Sequence, residues 1–247
     1  MIIKAIGFDF FGTLVNAKAE VNVCIESLRQ RLCEHQISIS SEEFLQAYRT
    51  VTSDYRRIRQ EMHKEIGNCV WIAETIKKFG YTLLPDSPLI VNVVDAYFSP
   101  WILTLQKDVS SVLSDLRNTC RMGLISNFTN TKYIQKSLRD LGISDYFDCV
   151  IVSEDVGWRK PYPVIFKKFL EILNVEAEET LFVGDELDTD ILGAKKVGMK
   201  TAQIIYNDHH EASENHVKPD FIIHSLSDLK GLINRARGAN KVCQYEP

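Results

Sequence analysis

Asp9 closes an apolar run in which Ile2, Ile3, Ala5, Ile6 and Phe8 surround Lys4 and Gly7, and it is followed by Phe10, Phe11, Gly12, Thr13 and Leu14. A carboxylate at the end of a buried strand, just ahead of a glycine turn, is aimed into a crevice rather than into a core. There it can act as a nucleophile. Taken alone, an acidic residue after a strand is more often an N-cap or a turn former. Three later segments alter that balance. Leu124 and Ile125 lead into Ser126 and Asn127, an apolar run ending in a hydroxyl and an amide. Gly157, Trp158, Arg159, Lys160 and Pro161 put a lysine just ahead of a helix expected to start near Pro163. Thr180, Leu181, Phe182, Val183 and Gly184 form another apolar run, which ends in Asp185, with Asp190 five residues on. Strand ends in open parallel sheets meet along the edge where ligands bind, so the four segments converge on one site.

Asp9, Asp185 and Asp190 would carry three negative charges into that crevice, with Glu186 and Asp188 close by in sequence. Such a concentration requires cations. Carboxylate oxygens select a hard ion such as Mg2+, and Lys160 adds one more positive charge, so the cluster becomes about neutral and can accept a phosphate. Phosphoryl transfer needs in-line positioning and neutralised equatorial oxygens, which a metal, a lysine, a hydroxyl and turn amides supply. On this reading Asp9 attacks phosphorus and water cleaves the resulting aspartyl-phosphate. Ser126 or Thr13, with the N–H groups around Gly12 and Asn127, would hold the phosphate oxygens. Glu186 and Asp188 are expected to face solvent or to cap the following helix.

The elements that must position these residues follow from hydrophobic periodicity. Strands are expected at 122–127, 149–153, 181–184, 201–206 and 221–224, alternating with helices at 131–141, 164–173, 190–197 and 227–234. Alternation of this kind implies an α/β fold with a doubly wound parallel sheet. Residues 16–99 read instead as helical. Val21, Cys24, Ile25, Leu28 and Leu32 share one face. Ser40 and Glu43 form a capping box for a long helix whose stripe is Phe44, Tyr48, Val51, Tyr55, Ile58 and Met62, ending at Gly67 and Asn68. Shorter helices are expected at 69–79, stopped by Gly80, and at 89–98, before Pro100. The first strand belongs to the sheet, so the expected division is a core of residues 1–15 and 100–247 with an inserted helical cap of residues 16–99, set over the site like a lid. The last ten or so residues lack periodicity and are expected to fray.

The 247 residues are 45% hydrophobic and 25% charged, which suits one large domain or a domain with an insertion. A net charge of -4 and a pI near 5.9 lack the basic footprint of a nucleic-acid binder. The six cysteines have no C-x-x-C pairing and read as buried free thiols. No apolar stretch approaches the length of a membrane span, so a soluble, cytoplasmic protein acting on a small anionic molecule is expected, as a monomer or a homodimer.

In order and spacing, these segments resemble the four motifs of the haloacid dehalogenase superfamily, subfamily I, in which a helical cap follows motif one. Motif one is Asp9 to Leu14, motif two Ser126-Asn127, motif three Lys160-Pro161, and motif four Gly184-Asp185 through Asp190. The resemblance implies Asp9 as nucleophile, Ser126 and Lys160 as phosphoryl ligands, and Asp185 and Asp190 as Mg2+ ligands together with Asp9 and the main-chain carbonyl of Phe11. One position departs from the pattern. Phosphatases of the family carry a second aspartate where this chain has Phe11, and phenylalanine can neither protonate a leaving group nor activate water. Losing such a group costs about 10²- to 10⁴-fold. A halide leaves without a proton, so a 2-haloacid dehalogenase is the alternative. A weakly catalytic scaffold that binds a phospho-ligand or a partner protein is another. Dehalogenases resemble a Ser-x-Asn pattern at motif four and need no metal, whereas this chain keeps both acids, and Mg2+-dependent hydrolysis of a small phosphorylated metabolite is therefore favoured. Glu154, Asp155 and the cap residue His63 are candidates for the missing acid, each with an ordinary surface role as its plainer reading.

Other conspicuous residues have plainer readings too. Arg56, Arg57, Arg59 and Lys64 read as a solvated helix face paired with Glu61 and Glu65 rather than a greeting for an anionic substrate. His209, His210 and His216 read as an exposed connection, not a metal cluster. Of Trp71, Trp101 and Trp158, only Trp158 is expected near the site, beside Lys160.

Overall fold

The computed structural model describes residues 2–206 and 217–238. In chain order the elements are β1 (Ala5–Phe8), β2 (Val15–Lys18), α1 (Val21–Glu34), α2 (Ser41–Met62), α3 (Asn68–Lys77), α4 (Pro88–Tyr97), β3 (Ile102–Leu105), α5 (Val109–Arg117), β4 (Arg121–Ser126), α6 (Thr131–Asp140), β5 (Cys149–Val152), α7 (Ser153–Val156), α8 (Pro163–Leu173) and β6 (Thr180–Gly184). A π-helical turn (Leu187–Ile191) then runs into α9 (Leu192–Lys196), followed by β7 (Lys200–Ile204), β8 (Phe221–Ile223) and α10 (Asp228–Gly238).

Six strands pair in parallel in the order β5-β4-β1-β6-β7-β8. β1 and β6 are buried at every position, as strands covered by helices on both faces must be. The chain builds β4 and β5 on one side of β1, then crosses to build β6, β7 and β8 on the other. The carboxyl ends of β4, β1 and β6 therefore flank the point where strand order reverses, the place where such sheets leave a crevice.

Two glycines let one helix sit close to this sheet. Gly7 in β1 lies in register with Gly123 in β4. A Cβ at Gly123 would come within 2.7 Å of the Phe169 ring and 2.6 Å of Cys149 Sγ, and one at Gly7 would meet Phe169 at 3.1 Å. The ring of Phe169, on α8, fills the slot left by these absent side chains and packs with Phe166, Phe182 and Ile125 in the smaller of two core clusters.

The helices of residues 21–97 pack on one another, and the chain reaches and leaves them through an antiparallel ribbon in which Val15 faces Leu105 and Lys18 faces Ile102. Short and largely exposed, β2 and β3 carry little periodic signal, and neither was among the expected strands. In α1, Cys24, Ile25, Leu28 and Leu32 are buried as their spacing requires, while Val21 is exposed. Ser40 caps α2 by accepting from Glu43 N–H at 3.3 Å. The helix ends at Met62, with His63 in the left-handed conformation at φ 53°, earlier than the expected stop at Gly67 and Asn68. Gly67 instead caps the start of α3. An additional helix, α5, buries Val109, Val112, Leu113 and Leu116 between β3 and β4. The helix expected at 190–197 is preceded by a π turn from Leu187, because Asp190 must reach back to the sheet edge.

Among the described residues, Cys24, Cys33, Cys69, Cys120 and Cys149 are free thiols. No helix there is long and apolar enough to cross a membrane. His209, His210, His216, Cys243 and the chain's last residues lie outside the described residues.

Overfilling the slot beneath Phe169 should cost about 1–3 kcal/mol. Gly123→Ala is expected to lower the urea midpoint, and shortening the ring in the double variant with Phe169→Leu should recover part of the loss; an unchanged midpoint in the single variant would show the slot to be unfilled.

Candidate active site

The N–H of Asp9 continues the ladder of β1 by donating to Val183 O at 2.9 Å, so the strand itself sets where the side chain emerges. Lys160 reaches it from the loop before α8. The Nζ of Lys160 pairs with Asp9 Oδ1, lies 2.6 Å from Asp190 Oδ1 and donates to Ile125 O at 3.1 Å. An ammonium group has three donors, and all three are used. Only 2% of this side chain is exposed.

Asp190 is placed by the π turn: its Oδ2 accepts from Glu186 N–H at 3.1 Å. A Cβ at position 184 would lie 2.4 Å from its carboxyl carbon, so the end of β6 must be glycine for the side chain to pass. Gly12 plays the same part across the crevice, with φ +83° and room only for a hydrogen where a Cβ would come 2.2 Å from Asp185 Oδ2. Asp9, Asp185 and Asp190 each offer a carboxylate oxygen within 4.8 Å of the others.

Burial and crowding tell on these acids. Asp9 is pushed up to about 6 by burial first, with Lys160 pulling down and Asp185 pushing up. Asp185 is pushed up to about 6 by burial, then by Asp190 and Glu186. Asp190 is pushed up to about 7 by burial, offset by Lys160 and reinforced by Asp9. Lys160 is held above the usual lysine range because the attraction of Asp190 and Asp9 outweighs its own burial. Three carboxylates against one ammonium leave about two negative charges unmatched among largely buried side chains. A divalent ion that prefers oxygen donors fits this set.

Asn127 is a strap rather than an open donor: its side chain accepts from Lys160 N–H at 2.7 Å and donates to Lys160 O at 3.0 Å, binding the ends of β4 and the lysine loop together. Ser126, the last residue of β4, is buried and lines the cleft. Thr13 does not line it. Its hydroxyl donates to Asp185 Oδ1 at 3.0 Å, which turns a side chain expected to hold phosphate into a support for an acid. The N–H of Gly12, expected to face phosphate as well, donates to Val15 O at 2.9 Å because the loop closes on itself there.

The cleft above Asp9 has a volume of about 820 Å³, and helix α2 supplies Arg56, Arg59 and Gln60 to its wall, with His63 just past its end. The basic face of α2 is thus partly turned to the site and not wholly to solvent. Arg59 is pulled down to about 10 by burial, opposed by Glu65 and reinforced by Arg159. His63 is held below the usual histidine range by burial and by Lys196. Glu186 and Asp188, expected to face solvent or cap a helix, also line the cleft. Among the described residues Glu154 and Asp155 are absent from the wall, and Glu154 instead caps α6 by accepting from Thr131 N–H at 2.7 Å.

Phe11 lines the cleft but is committed on its other side to an aromatic cluster. Its ring centroid lies 4.7 Å from Phe10, 5.1 Å from Phe128 and 5.7 Å from Trp101. Trp101, which follows α4, is therefore the tryptophan that touches motif one. Trp158 stacks on Tyr162 at 4.1 Å, outside the wall. Two supports were not anticipated. Gln203 donates to Asp185 O at 3.1 Å, and Tyr206 donates to Thr13 O at 2.8 Å. A glutamine inside the apolar run Thr201, Ala202, Ile204, Ile205 is the sequence signal for the first.

Likenesses to known proteins bear on this arrangement. A glyceraldehyde 3-phosphate phosphatase of Pyrococcus abyssi is 34% identical, with 97% of this chain and 98% of that protein covered. The crystal structure of a HAD phosphatase from Thermococcus onnurineus is 27% identical and covers 94% of this chain and 98% of its own, with a TM-score of 0.60. A 2-haloacid dehalogenase from Pseudomonas syringae pv. Tomato has the same fold, with a TM-score of 0.72, 24% identity and coverage of 95% and 100%. The family model for haloacid dehalogenase-like hydrolases matches residues 3–198, a span that takes in all four motifs and both halves of the crevice, and the chain belongs to that family.

Proposed function

We propose that the protein is a Mg2+-dependent phosphatase that acts on a small phosphorylated metabolite through an aspartyl-phosphate at Asp9. One observation carries the reading: Lys160 ties Asp9 to Asp190 inside a cluster of three carboxylates, two of them buried, that lacks about two positive charges. A site built only to displace halide has no use for the two extra acids. The relative named a glyceraldehyde 3-phosphate phosphatase supports a phosphate ester of that size as substrate.

Asp9, Asp185, Asp190 and the main-chain carbonyl of Phe11 would hold the ion, which supplies positive charge to a bound phosphoryl group. The protein's own groups do the rest. A carboxylate oxygen of Asp9 forms a bond to phosphorus as the bond to the leaving oxygen breaks, and the electron pair departs with that oxygen. Lys160 neutralises an equatorial oxygen, with Ser126 beside it, while Asn127 keeps the lysine loop in place. Thr13 and Gly12 act on Asp185, one by a hydrogen bond and the other by making room. Water then opens the acyl-phosphate, returning Asp9 and releasing phosphate. Residues 16–99 act as a cap over a core of residues 1–15 and 100–247, with the β2–β3 ribbon as its stem.

Phe11 gives the leaving oxygen no proton, so substrates whose leaving groups are already weak bases suit the site best. Of the three groups considered as replacements, His63 alone lines the cleft, and its lowered pKa keeps it neutral near pH 7, suited to accepting a proton from water.

The test is a panel of acetyl phosphate, p-nitrophenyl phosphate, glyceraldehyde 3-phosphate and 2-chloropropionate, each with Mg2+ and with EDTA. Phosphate release is expected only with Mg2+, fastest from the first two, and Asp9→Asn should abolish it; halide release that survives EDTA would instead establish the dehalogenase alternative. Phe11→Asp is expected to raise turnover of alkyl phosphates by up to about 10²-fold by restoring a proton donor. The same variant should lose up to about 3 kcal/mol of stability as the ring leaves its aromatic neighbours. Turnover that stays flat or falls while the protein remains folded would refute this account of Phe11.

A further inference from the structure

Glu65 lies beyond the end of α2, far from the phosphoryl site in sequence, yet its side chain is only 2% exposed and reaches across from the helical segment to the core. Its Oε1 is 2.9 Å from Arg59 Nη2, on the same side of the cleft, and its Oε2 is 2.5 Å from Arg159 Nη1, in the lysine loop. The Ser153 hydroxyl donates to the same Oε2 and accepts from Phe128 N–H at 2.9 Å. One carboxylate is thus joined to the residue before Lys160 and, through Ser153, to the residue after Asn127.

The backbone follows the same route. Glu65 N–H donates to Gly157 O at 3.0 Å and Arg159 N–H donates to His63 O at 2.8 Å, so residues 63–65 pair with residues 157–159 as a short antiparallel bridge. Asn127 then closes the circuit by bonding both the N–H and the carbonyl of Lys160. The loop that carries Lys160 and the loop that carries its Asn127 strap are both held, directly or at one remove, by Glu65.

We infer that Glu65 is a positioning residue: when the cap seats, its carboxylate draws the 126–129 and 157–160 loops together and so sets Lys160 for the phosphoryl group. The inference rests on the phosphatase reading for its catalytic consequence. Removing the charge would leave Arg59 and Arg159 facing each other, partly buried, without their shared counter-ion. The loops would then part, and misplacement of about 1 Å costs roughly 10²-fold in rate.

Glu65→Gln is expected to lower kcat on p-nitrophenyl phosphate roughly 10- to 100-fold at temperatures well below its melting point. Amide exchange at Phe128 and Arg159 should quicken by about tenfold or more while the β1 and β4 amides keep their protection. A purely structural role would lower the melting temperature and leave both readouts intact. Ser153→Ala, which keeps the ion pairs but cuts the tie to Phe128, should move both in the same direction by less, and it serves alone if Glu65→Gln does not fold. Unchanged exchange at these two amides overturns the inference, as does faster exchange with kcat within twofold of wild type. Faster exchange in a protein whose wild type releases no phosphate from any ester upholds the linkage of cap and loops and refutes the phosphatase reading instead.

Discussion

A single buried ammonium holds the crevice together. Lys160 sits between two carboxylates that would otherwise repel each other, and at an effective dielectric near 20 each pair of like charges about 4–5 Å apart costs roughly 3–4 kcal/mol. Charge of this density is tolerable only where the fold pins each group to a rigid element. Asp9 is pinned by the last rung of β1, Asp190 by the π turn after β6, and Lys160 by Ile125 O at the end of β4. The small residues of the site follow from the same constraint, because Gly12 and Gly184 stand where any side chain would collide with Asp185 or Asp190.

Phe11 shows a trade made at the rim of this arrangement. An acid there would be free to exchange protons with substrate and water. The ring instead meets Trp101, just after the helical segment ends, and Phe128, just after motif two. Phe98 and Tyr133 extend the cluster, with centroids 4.7 Å apart. Aromatic contacts of this kind add about 0.5–1.5 kcal/mol each beyond burial. The position therefore serves the seating of the helices on the sheet, and on the proposed chemistry it does so at the expense of proton transfer.

The parallel sheet and its helices were legible because burial on both faces writes long apolar runs, as in β1 and β6, and helical period writes stripes, as in α2 and α8. The ribbon of β2 and β3 was not, since four-residue strands with exposed faces leave no such trace. At the site, sequence marked Asp9, Ser126, Asn127, Lys160, Asp185 and Asp190, which stand at the ends of apolar runs or in a loop beside them. It could not separate a residue that faces the cleft from one that faces a neighbour. Thr13 was the alternative to Ser126 for holding phosphate, yet the structure commits its hydroxyl to Asp185. Side-chain direction within a turn depends on φ and on partners distant in sequence, and neither is encoded in spacing. Glu65 illustrates the same limit from the other side: a helix-surface pairing was the natural reading of Arg59 and Glu65, and only the fold brings Arg159 and Ser153 to the same carboxylate.

The distribution of charge around the cleft then has a physical logic. The core contributes Asp9, Asp190, Glu186 and Asp188 with Lys160, Arg159 and Lys196 to its wall, while α2 contributes Arg56 and Arg59. The arginines of α2 add positive charge beside that acid-rich wall. Glu65 supports that placement. By pairing with Arg59 and Arg159 at once it lets two guanidiniums share a partly buried space, so the positive wall persists without driving the two halves apart. On the proposed chemistry, the carboxylate that ties the helical segment to the lysine loop acts from outside the crevice on the group that works inside it.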